Sequence, residues 1–223
     1  VSGTNVPDIT KSNNGTIVGG VTTIPMEVGD AFQFDGVSGH ISIGNRASLN
    51  FGTGPFSLEA WFNWNGGGGT ATNNIIRKSN YGPGAGSGYW LRVGAGKLEF
   101  SVGATTQAEG QSIIVAPIST GTWQHAVAVK DGSGDIKLYV DGKSGGTVLG
   151  RSAVTESTSD FPFTIGAWEG YPGGPREFWN GEIEEIAVYN RALSAGEVYS
   201  LFDSGSIGKC ATDYGRTNRE LPQ

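Results

Sequence analysis

A period-two alternation of apolar and polar residues recurs along most of the chain and limits the folds open to it. In its longest stretch, every second residue from Phe56 to Trp64 is apolar. Such alternation indicates strands that bury one face and leave the other in contact with solvent. Glycines end most of these stretches, and the chain contains 38 of them. We therefore predict short strands joined by tight turns, which is typical of a two-sheet antiparallel sandwich.

About a dozen strands are predicted, with one hairpin turning at Gly94-Ala95-Gly96 and another turning at Asp131-Gly132-Ser133-Gly134-Asp135, whose second strand ends at Asp141-Gly142. One short C-terminal helix is predicted, because Ser194 and Glu197 have the spacing of a capping box and apolar residues follow at helical spacing. The chain is thus predicted to be all-β with a single C-terminal helix. We expect one domain over residues 1–207 and a polar tail or linker over 208–223.

The charge pattern disfavours two classes of partner. The net charge is −6, and the nearest approach to a basic cluster is Arg77-Lys78. Nucleic acids and anionic membrane surfaces both require a basic face, so neither is expected as a partner. No apolar run is long enough for membrane insertion. A mildly acidic surface suits a neutral ligand or a cation. The single cysteine, Cys210, is either a free thiol or paired with a segment outside this sequence.

Several strings follow one another in an order that is characteristic of one family. They are Asn13-Asn14-Gly15-Thr16, Phe32-Gln33-Phe34-Asp35-Gly36, Phe56-Ser57 with Ala60-Trp61, Trp123-Gln124-His125-Ala126-Val127, Leu138-Tyr139-Val140-Asp141-Gly142 and residues 181–194. On these strings, over roughly residues 13 to 205, the chain resembles the laminin-G-like, concanavalin-A-like jelly-roll modules of large extracellular bacterial proteins. The resemblance implies a jelly-roll sandwich, an extracellular or cell-surface location, a larger multidomain parent chain, and a glycan or a cell-surface or matrix protein as partner.

The resemblance also implies a structural calcium ion at the edge of the sandwich. The residues at the matching positions, which offer the oxygen ligands that calcium prefers, are Asn13, Asn14, Asp35, Glu182 and Glu184. Family members often carry Asp where this chain has Glu184. The alternative is that Asp35-Gly36 only forms a turn and that the glutamates face water.

Glu182 and Glu184 also allow a glycosidase interpretation, because retaining enzymes use two carboxylates on one strand face. The jelly-roll glucanases carry a further glutamate after this pair, and no glutamate follows Glu185 at the required spacing. The chain has no Gly-x-Ser-x-Gly elbow after a strong strand, and His40 and His125 do not make a zinc set. We expect no catalytic residues, and a glycoside hydrolase or polysaccharide lyase is kept as the less favoured alternative.

Aromatic residues in Gly- and Pro-rich loops are the candidates for ligand binding, because a sugar stacks its apolar face on an aromatic ring. They are Trp64, Tyr81, Trp168, Tyr171 and Trp179. Trp61 and Trp123 lie within predicted strands and are expected in the core, whereas the alternation places Trp90 on the same face as Arg92.

The sequence thus supports a non-catalytic extracellular carbohydrate-binding or adhesion module that contains a structural calcium ion. A structural spacer or protein-adhesion domain of a large surface protein, without a sugar site, remains the alternative.

Overall fold

The computed structural model describes residues 4–26, 29–67, 72–79, 88–103, 112–149 and 159–205. In chain order its strands are β1 (Asn5–Val6), β2 (Gly15–Val18), β3 (Val21–Pro25), β4 (Asp30–Asp35), β5 (His40–Gly44), β6 (Phe56–Trp64), β7 (Thr72–Ser79), β8 (Gly88–Gly94), β9 (Lys97–Val102), β10 (Ser112–Pro117), β11 (Trp123–Lys130), β12 (Ile136–Val140), β13 (Lys143–Val148), β14 (Phe163–Ile165) and β15 (Asn180–Tyr189). A short 3-10 turn spans Ala47–Leu49, and α1 spans Ala195–Ser204.

The strands form two sheets whose neighbouring strands run antiparallel. Sheet A has the order β1-β2-β5-β14-β7-β8-β9-β10, and sheet B has the order β13-β12-β11-β6-β15-β4-β3. Many neighbours in these orders are distant in sequence, as in a jelly roll. The predicted all-β sandwich with one C-terminal helix is confirmed.

The core lies between the inner faces of the two sheets. On β6 the residues Phe56, Leu58, Ala60 and Phe62 have no exposed surface, as the alternation predicts. Phe56 stacks on Phe51, with ring centroids 4.6 Å apart, and it also contacts Phe100 of sheet A. The hydrophobic alternation therefore assigned the inner face of this strand correctly.

The two predicted hairpins are confirmed. β8 and β9 are joined by Ala95 and Gly96, which have φ of +49° and +72°, and β11 pairs with β12 across residues 131–135. A further hairpin, which was not predicted, joins β12 to β13 through Asp141 and Gly142, with φ of +51° and +70°. Positive φ at both central residues gives the turn a twist that matches the strands it joins.

The capping box is also formed. The Ser194 hydroxyl accepts a hydrogen bond from the Glu197 amide, and the Glu197 carboxylate accepts one from the Ser194 amide at 2.8 Å. α1 packs on the outer face of sheet B, where Phe202 stacks on Trp61 with centroids 5.9 Å apart. Residues 206–223, which include Cys210 and the predicted tail, lie outside the described residues.

Trp61 and Trp123 were expected in the core, and this prediction is wrong. Trp61 is half-buried between the inward residues Ala60 and Phe62, so its side chain extends from the outer face of sheet B. Trp123 is half-buried on the same face, beside Asn63 of β6. Among the residues that the structure describes, no helix is long and apolar enough to cross a membrane.

Candidate functional site

The segment between β14 and β15, residues 166–179, folds over the outer face of sheet A, and we call it the cover loop. Its middle is closed by two hydrogen bonds, from the Trp168 amide to the Arg176 carbonyl at 2.9 Å and from the Arg176 amide to the Trp168 carbonyl at 3.1 Å. Gly173 and Gly174 turn the chain between them with φ of +100° and +110°, a region that side-chain-bearing residues rarely adopt. The turn of this loop therefore requires glycine at positions 173 and 174.

Two adjacent asparagines on β7 attach the cover loop to sheet A. The Asn74 amide donates to the Glu177 carbonyl at 3.0 Å, and its side-chain amide donates to Glu177 Oε2 at 3.0 Å. The Asn73 side chain donates to the Phe178 carbonyl at 2.6 Å. Because these bonds reach the backbone as well as the side chain of the loop, they fix its position on the strand.

Aromatic rings and guanidinium groups alternate outward from the sheet under this loop, and we call this arrangement the aromatic–arginine stack. The Arg77 guanidinium lies 4.9 Å from the Trp90 ring centroid on one side and 3.5 Å from that of Trp168 on the other. Trp168 meets Tyr171 edge to face at 5.2 Å, and the Arg176 guanidinium lies 4.2 Å from the Tyr171 centroid. Cation–π contacts of this kind strengthen when the cation is shielded from water.

The innermost cation of the stack is held by a buried ion pair. Arg77 is 4 % exposed, its Nη1 lies 3.2 Å from Glu177 Oε2, and its Nε donates to the Ser79 hydroxyl at 2.8 Å. Burial lowers the pKa of Arg77 to about 9; attraction to Glu177 opposes this shift, and repulsion from Arg92 and Arg176 adds to it. The guanidinium therefore stays protonated at neutral pH.

A second polar row borders the stack on β8 and β9. Arg92 Nε donates to Glu99 Oε2 at 2.8 Å, with side chains 20 % and 18 % exposed, so this pair is accessible from solvent. The paired residues Trp90 and Ser101 lie on the same face. Within the described part of the chain, the Trp90 indole nitrogen and the Ser101 hydroxyl are buried and make no hydrogen bond. The outer face of sheet A thus combines an aromatic surface with charged groups and unused donors.

The structure brings together two of the five predicted ligand-binding residues, Trp168 and Tyr171. Trp168 is only 6 % exposed and Tyr171 is half-buried, so Tyr171 is the accessible ring of the pair. Trp64 is half-buried at the end of β6 and donates to Asn73 Oδ1 at 3.1 Å, which places it at the edge of the loop anchor. Trp179 is fully buried against Phe62, and its ring cannot reach a ligand in this arrangement. Tyr81 lies outside the described residues.

Sequence reasoning missed the strand residues that build the floor of this site. Arg77 was noted only as half of a weak basic pair, and Glu99 was not singled out. The alternation along the strands could have indicated these residues, because Arg77, Trp90 and Arg92 occupy outward-facing positions of two paired strands. An outward arginine next to an outward tryptophan in a protein with few charges indicates a covered or functional outer face.

The predicted calcium ligands lie at two places, since Asp35 of β4 pairs with Asn180 of β15, the strand that carries Glu182 and Glu184. Asn13 and Asn14 lie in the turn before β2, where their side-chain oxygens accept hydrogen bonds from the Ser48 hydroxyl and the Asp8 amide. Asp35 lies beside Gly20, beyond the other end of β2. Glu182 and Glu184 lie on the outer face of sheet B. The five residues therefore do not form one coordination site.

Asp35 is saturated by the protein itself. Its Oδ1 accepts hydrogen bonds from the amides of Val37, Ser38 and Gly39 at 2.8–2.9 Å, and its Oδ2 accepts one from the Ser38 hydroxyl at 2.7 Å. Partial burial would raise the pKa of Asp35, but these hydrogen bonds outweigh it and hold the pKa at about 2. Its structural role is to close the turn after β4.

Glu182 keeps an unsatisfied oxygen, and Glu184 is buried. Glu182 Oε1 accepts a hydrogen bond from Gln33 at 3.3 Å, whereas its Oε2 and the Oδ1 of the paired Asn63 are buried and make no hydrogen bond within the described residues. Glu184 is 6 % exposed, and its pKa is raised by burial and by the neighbouring Glu185. No set of three His, Cys, Asp or Glu side chains that could hold a metal occurs in the part of the chain described.

A buried carboxylate–histidine pair lies on the outer face of sheet B near Phe202 of α1. His125 Nε2 is 3.1 Å from Glu59 Oε1, and the Tyr189 hydroxyl donates to Glu59 Oε2 at 2.6 Å. Both members of the pair are completely buried. In the part of the chain described, this pair is therefore closed to solvent.

The family match agrees with the two-sheet sandwich described above. A family profile described as the concanavalin A-like lectin/glucanases superfamily matches residues 35–199. The chain belongs to this superfamily. No curated protein sequence matches the chain.

Solved structures share the fold of this superfamily member at low sequence identity. The binding domain of Paraclostridial mosquitocidal protein 1 matches with a TM-score of 0.69 and 14 % identity, over 92 % of this chain and 50 % of that one. Domain 4 of AbnA, a GH43 extracellular arabinanase from Geobacillus stearothermophilus, in complex with arabinotriose, matches at 0.64 and 18 %, over 88 % and 92 % of the respective chains. The binding domain of botulinum neurotoxin serotype D/C matches at 0.65 and 15 %, over 87 % and 48 %. The chain thus spans about half the length of the two toxin binding domains.

Proposed function

We propose that the chain is a non-catalytic carbohydrate-binding module of a larger extracellular protein, with its ligand site at the outer end of the aromatic–arginine stack. The observation that carries this proposal is the half-buried but accessible Tyr171, held beside Arg176 by a loop that is tied to β7. The arabinotriose complex of the arabinanase domain supports it, because that domain and this chain cover each other almost completely.

The geometry suits a pyranose or furanose ring. The exposed part of Tyr171 offers an apolar surface to the C–H groups of a sugar. The hydrogen bonds from Asn73 and Asn74 order the cover loop before any ligand arrives. A preorganised loop reduces the entropy lost on binding.

Replacing Tyr171 by alanine tests this site. We expect the Tyr171→Ala variant to lose at least about tenfold in affinity for any oligosaccharide bound by the wild type, since truncating an aromatic residue at the centre of a binding site costs about 2 kcal/mol or more. Tyr199→Ala is the matched control, because Tyr199 is 57 % exposed on α1, on the other side of the sandwich. Arabinotriose and a glycan panel are measured by calorimetry and affinity electrophoresis. Equal affinities of both variants and the wild type would place the site elsewhere.

A protein-adhesion or spacer role is the second candidate, and the burial of Trp168 and Trp179 favours it. Two of the tryptophans expected to contact sugar are structural here, so fewer rings remain for stacking. Absence of binding across the glycan panel, with retained folding, would support this role over the first.

We also propose that, if calcium binds, it does so at Glu182 and Glu184 rather than at the five-residue set. The unused Glu182 Oε2 and Asn63 Oδ1 support this proposal, because they are the hard oxygens that calcium prefers. A wild-type melting temperature that does not change with added calcium or chelator would exclude it.

A further inference from the structure

We propose that the saccharide bound at the aromatic–arginine stack is acidic, and that its carboxylate or sulfate pairs with Arg176. This inference rests on the proposed glycan-binding function and specifies its ligand class. It departs from the expectation drawn from the net charge of −6, which favours a neutral ligand or a cation.

The distribution of charge at the stack provides the first argument. The guanidinium groups of Arg92 and Arg176 both lie close enough to that of Arg77 to lower its pKa by repulsion. Two carboxylates oppose them. Glu177 lies 3.2 Å from Arg77 and 3.9 Å from Arg92, and Glu99 lies 2.8 Å from Arg92. Both carboxylates are therefore engaged by the two inner arginines.

Arg176 makes no ion pair with any residue that the structure describes. The other acidic residue of the cover loop, Glu169, accepts a hydrogen bond from the Ser42 hydroxyl on β5 at 2.8 Å. The outermost cation of the stack is therefore left without a countercharge. A ligand anion would supply that countercharge at a site where it is partly shielded from water.

Hydrogen-bonding capacity at the site gives an independent argument. Arg176 Nε is a buried donor without a partner in the described part of the chain. Buried donors are normally satisfied in native proteins, so an unpaired one marks a place where an acceptor is missing. Carboxylate and sulfate oxygens provide acceptors without competing donors.

The orientation of Arg176 matches this role. Its guanidinium is held over the Tyr171 ring at 4.2 Å, and this contact restricts the side chain without using its hydrogen bonds. A restricted planar fork favours bidentate pairing with a carboxylate or sulfate. A sugar in contact with the exposed part of Tyr171 would place an anionic substituent within reach of this fork.

The test compares acidic saccharides with their neutral parents by calorimetry at low and moderate salt. The probes are sialyllactose against lactose, tri-galacturonate against a neutral galacto-trisaccharide, and a sulfated against an unsulfated disaccharide, so that carboxylate and sulfate are distinguished. We expect at least one acidic member to bind about tenfold or more tightly than its neutral parent, with the difference shrinking as salt rises. Neutral saccharides that bind as well as acidic ones would overturn this inference and leave the proposed function intact.

Two variants assign the effect to Arg176. Arg176→Gln should lower the ratio of acidic to neutral affinity to about one, whereas Arg176→Lys should retain part of the preference. Arg191→Gln is the control, since Arg191 also lies over a tyrosine, at 6.0 Å from Tyr189, but is paired with Glu197 at 2.7 Å. Circular dichroism confirms folding of each variant. Equal loss of acidic and neutral binding in Arg176→Gln refutes the pairing, and absence of all saccharide binding refutes both proposals.

Discussion

Replacing Glu177 by glutamine tests whether the buried ion pair holds the cover loop on sheet A. Arg77 and Glu177 are 4 % and 9 % exposed, and the pair joins β7 to the loop. Removing one partner of a buried pair costs about 3–5 kcal/mol, because the remaining charge is left without compensation. Glutamine keeps an oxygen that can accept the Asn74 hydrogen bond. We therefore expect the free energy of unfolding to fall by about 3 kcal/mol, a large share of the stability of an ordinary domain.

Urea denaturation monitored by tryptophan fluorescence measures this loss. Glu99→Gln is the matched control, because it breaks an arginine–glutamate pair on the same face that is partly exposed, and it should cost no more than about 1 kcal/mol. The double variant Arg77→Met with Glu177→Gln should recover most of the stability lost in the single variant. A Glu177→Gln cost as small as that of Glu99→Gln would refute the reasoning.

Three further predictions concern other parts of the fold. Asp35→Asn should lower the free energy of unfolding by about 1–2 kcal/mol at pH 7, allowing for the exposure of the side chain. The folded pKa of about 2 lies below the ordinary 3.8, so the difference between variant and wild type should disappear as the pH falls from 4 to 2 in acid-denaturation curves. Ser194→Ala should lower the free energy of unfolding by about 1 kcal/mol through loss of the capping box, and a change below 0.3 kcal/mol in urea melts would contradict it. Burial raises the pKa of the Glu184 carboxyl, so its charged form destabilises the fold and Glu184→Gln should raise the melting temperature in chelator. The same variant should abolish any stabilisation by calcium. A lower melting temperature in chelator would show that the carboxylate is stabilised by another group.

The sandwich could be predicted from the sequence because its signals are local. Alternation fixes which residues of β6 face inward, and glycine positions fix the turn between β8 and β9. The capping box is likewise contained within four residues, Ser194 to Glu197. Each of these features depends on neighbours in the chain, so no knowledge of long-range packing is needed.

The candidate site depends on contacts that are distant in sequence, and this is why only part of it could be predicted. Trp168 and Trp179 belong to the same glycine-rich segment, yet Trp179 is drawn into the core, where its amide donates to the Gly166 carbonyl at 2.7 Å. Alternation places Trp90 and Arg92 on an outer face but does not show that a loop some 75 residues later covers that face. Trp61 was misassigned for the same reason, since α1 shields it from outside.

The most direct test of the account follows the tryptophan indole N–H signals by NMR during titration with a bound saccharide. The chain has 6 tryptophans, which lie on different faces of the sandwich. We predict that the signal of Trp168, whose ring meets that of Tyr171 at 5.2 Å, shifts, while the signals of Trp61 and Trp179 stay in place. Shifts confined to Trp61 and Trp123 would put the ligand on the outer face of sheet B and contradict the account.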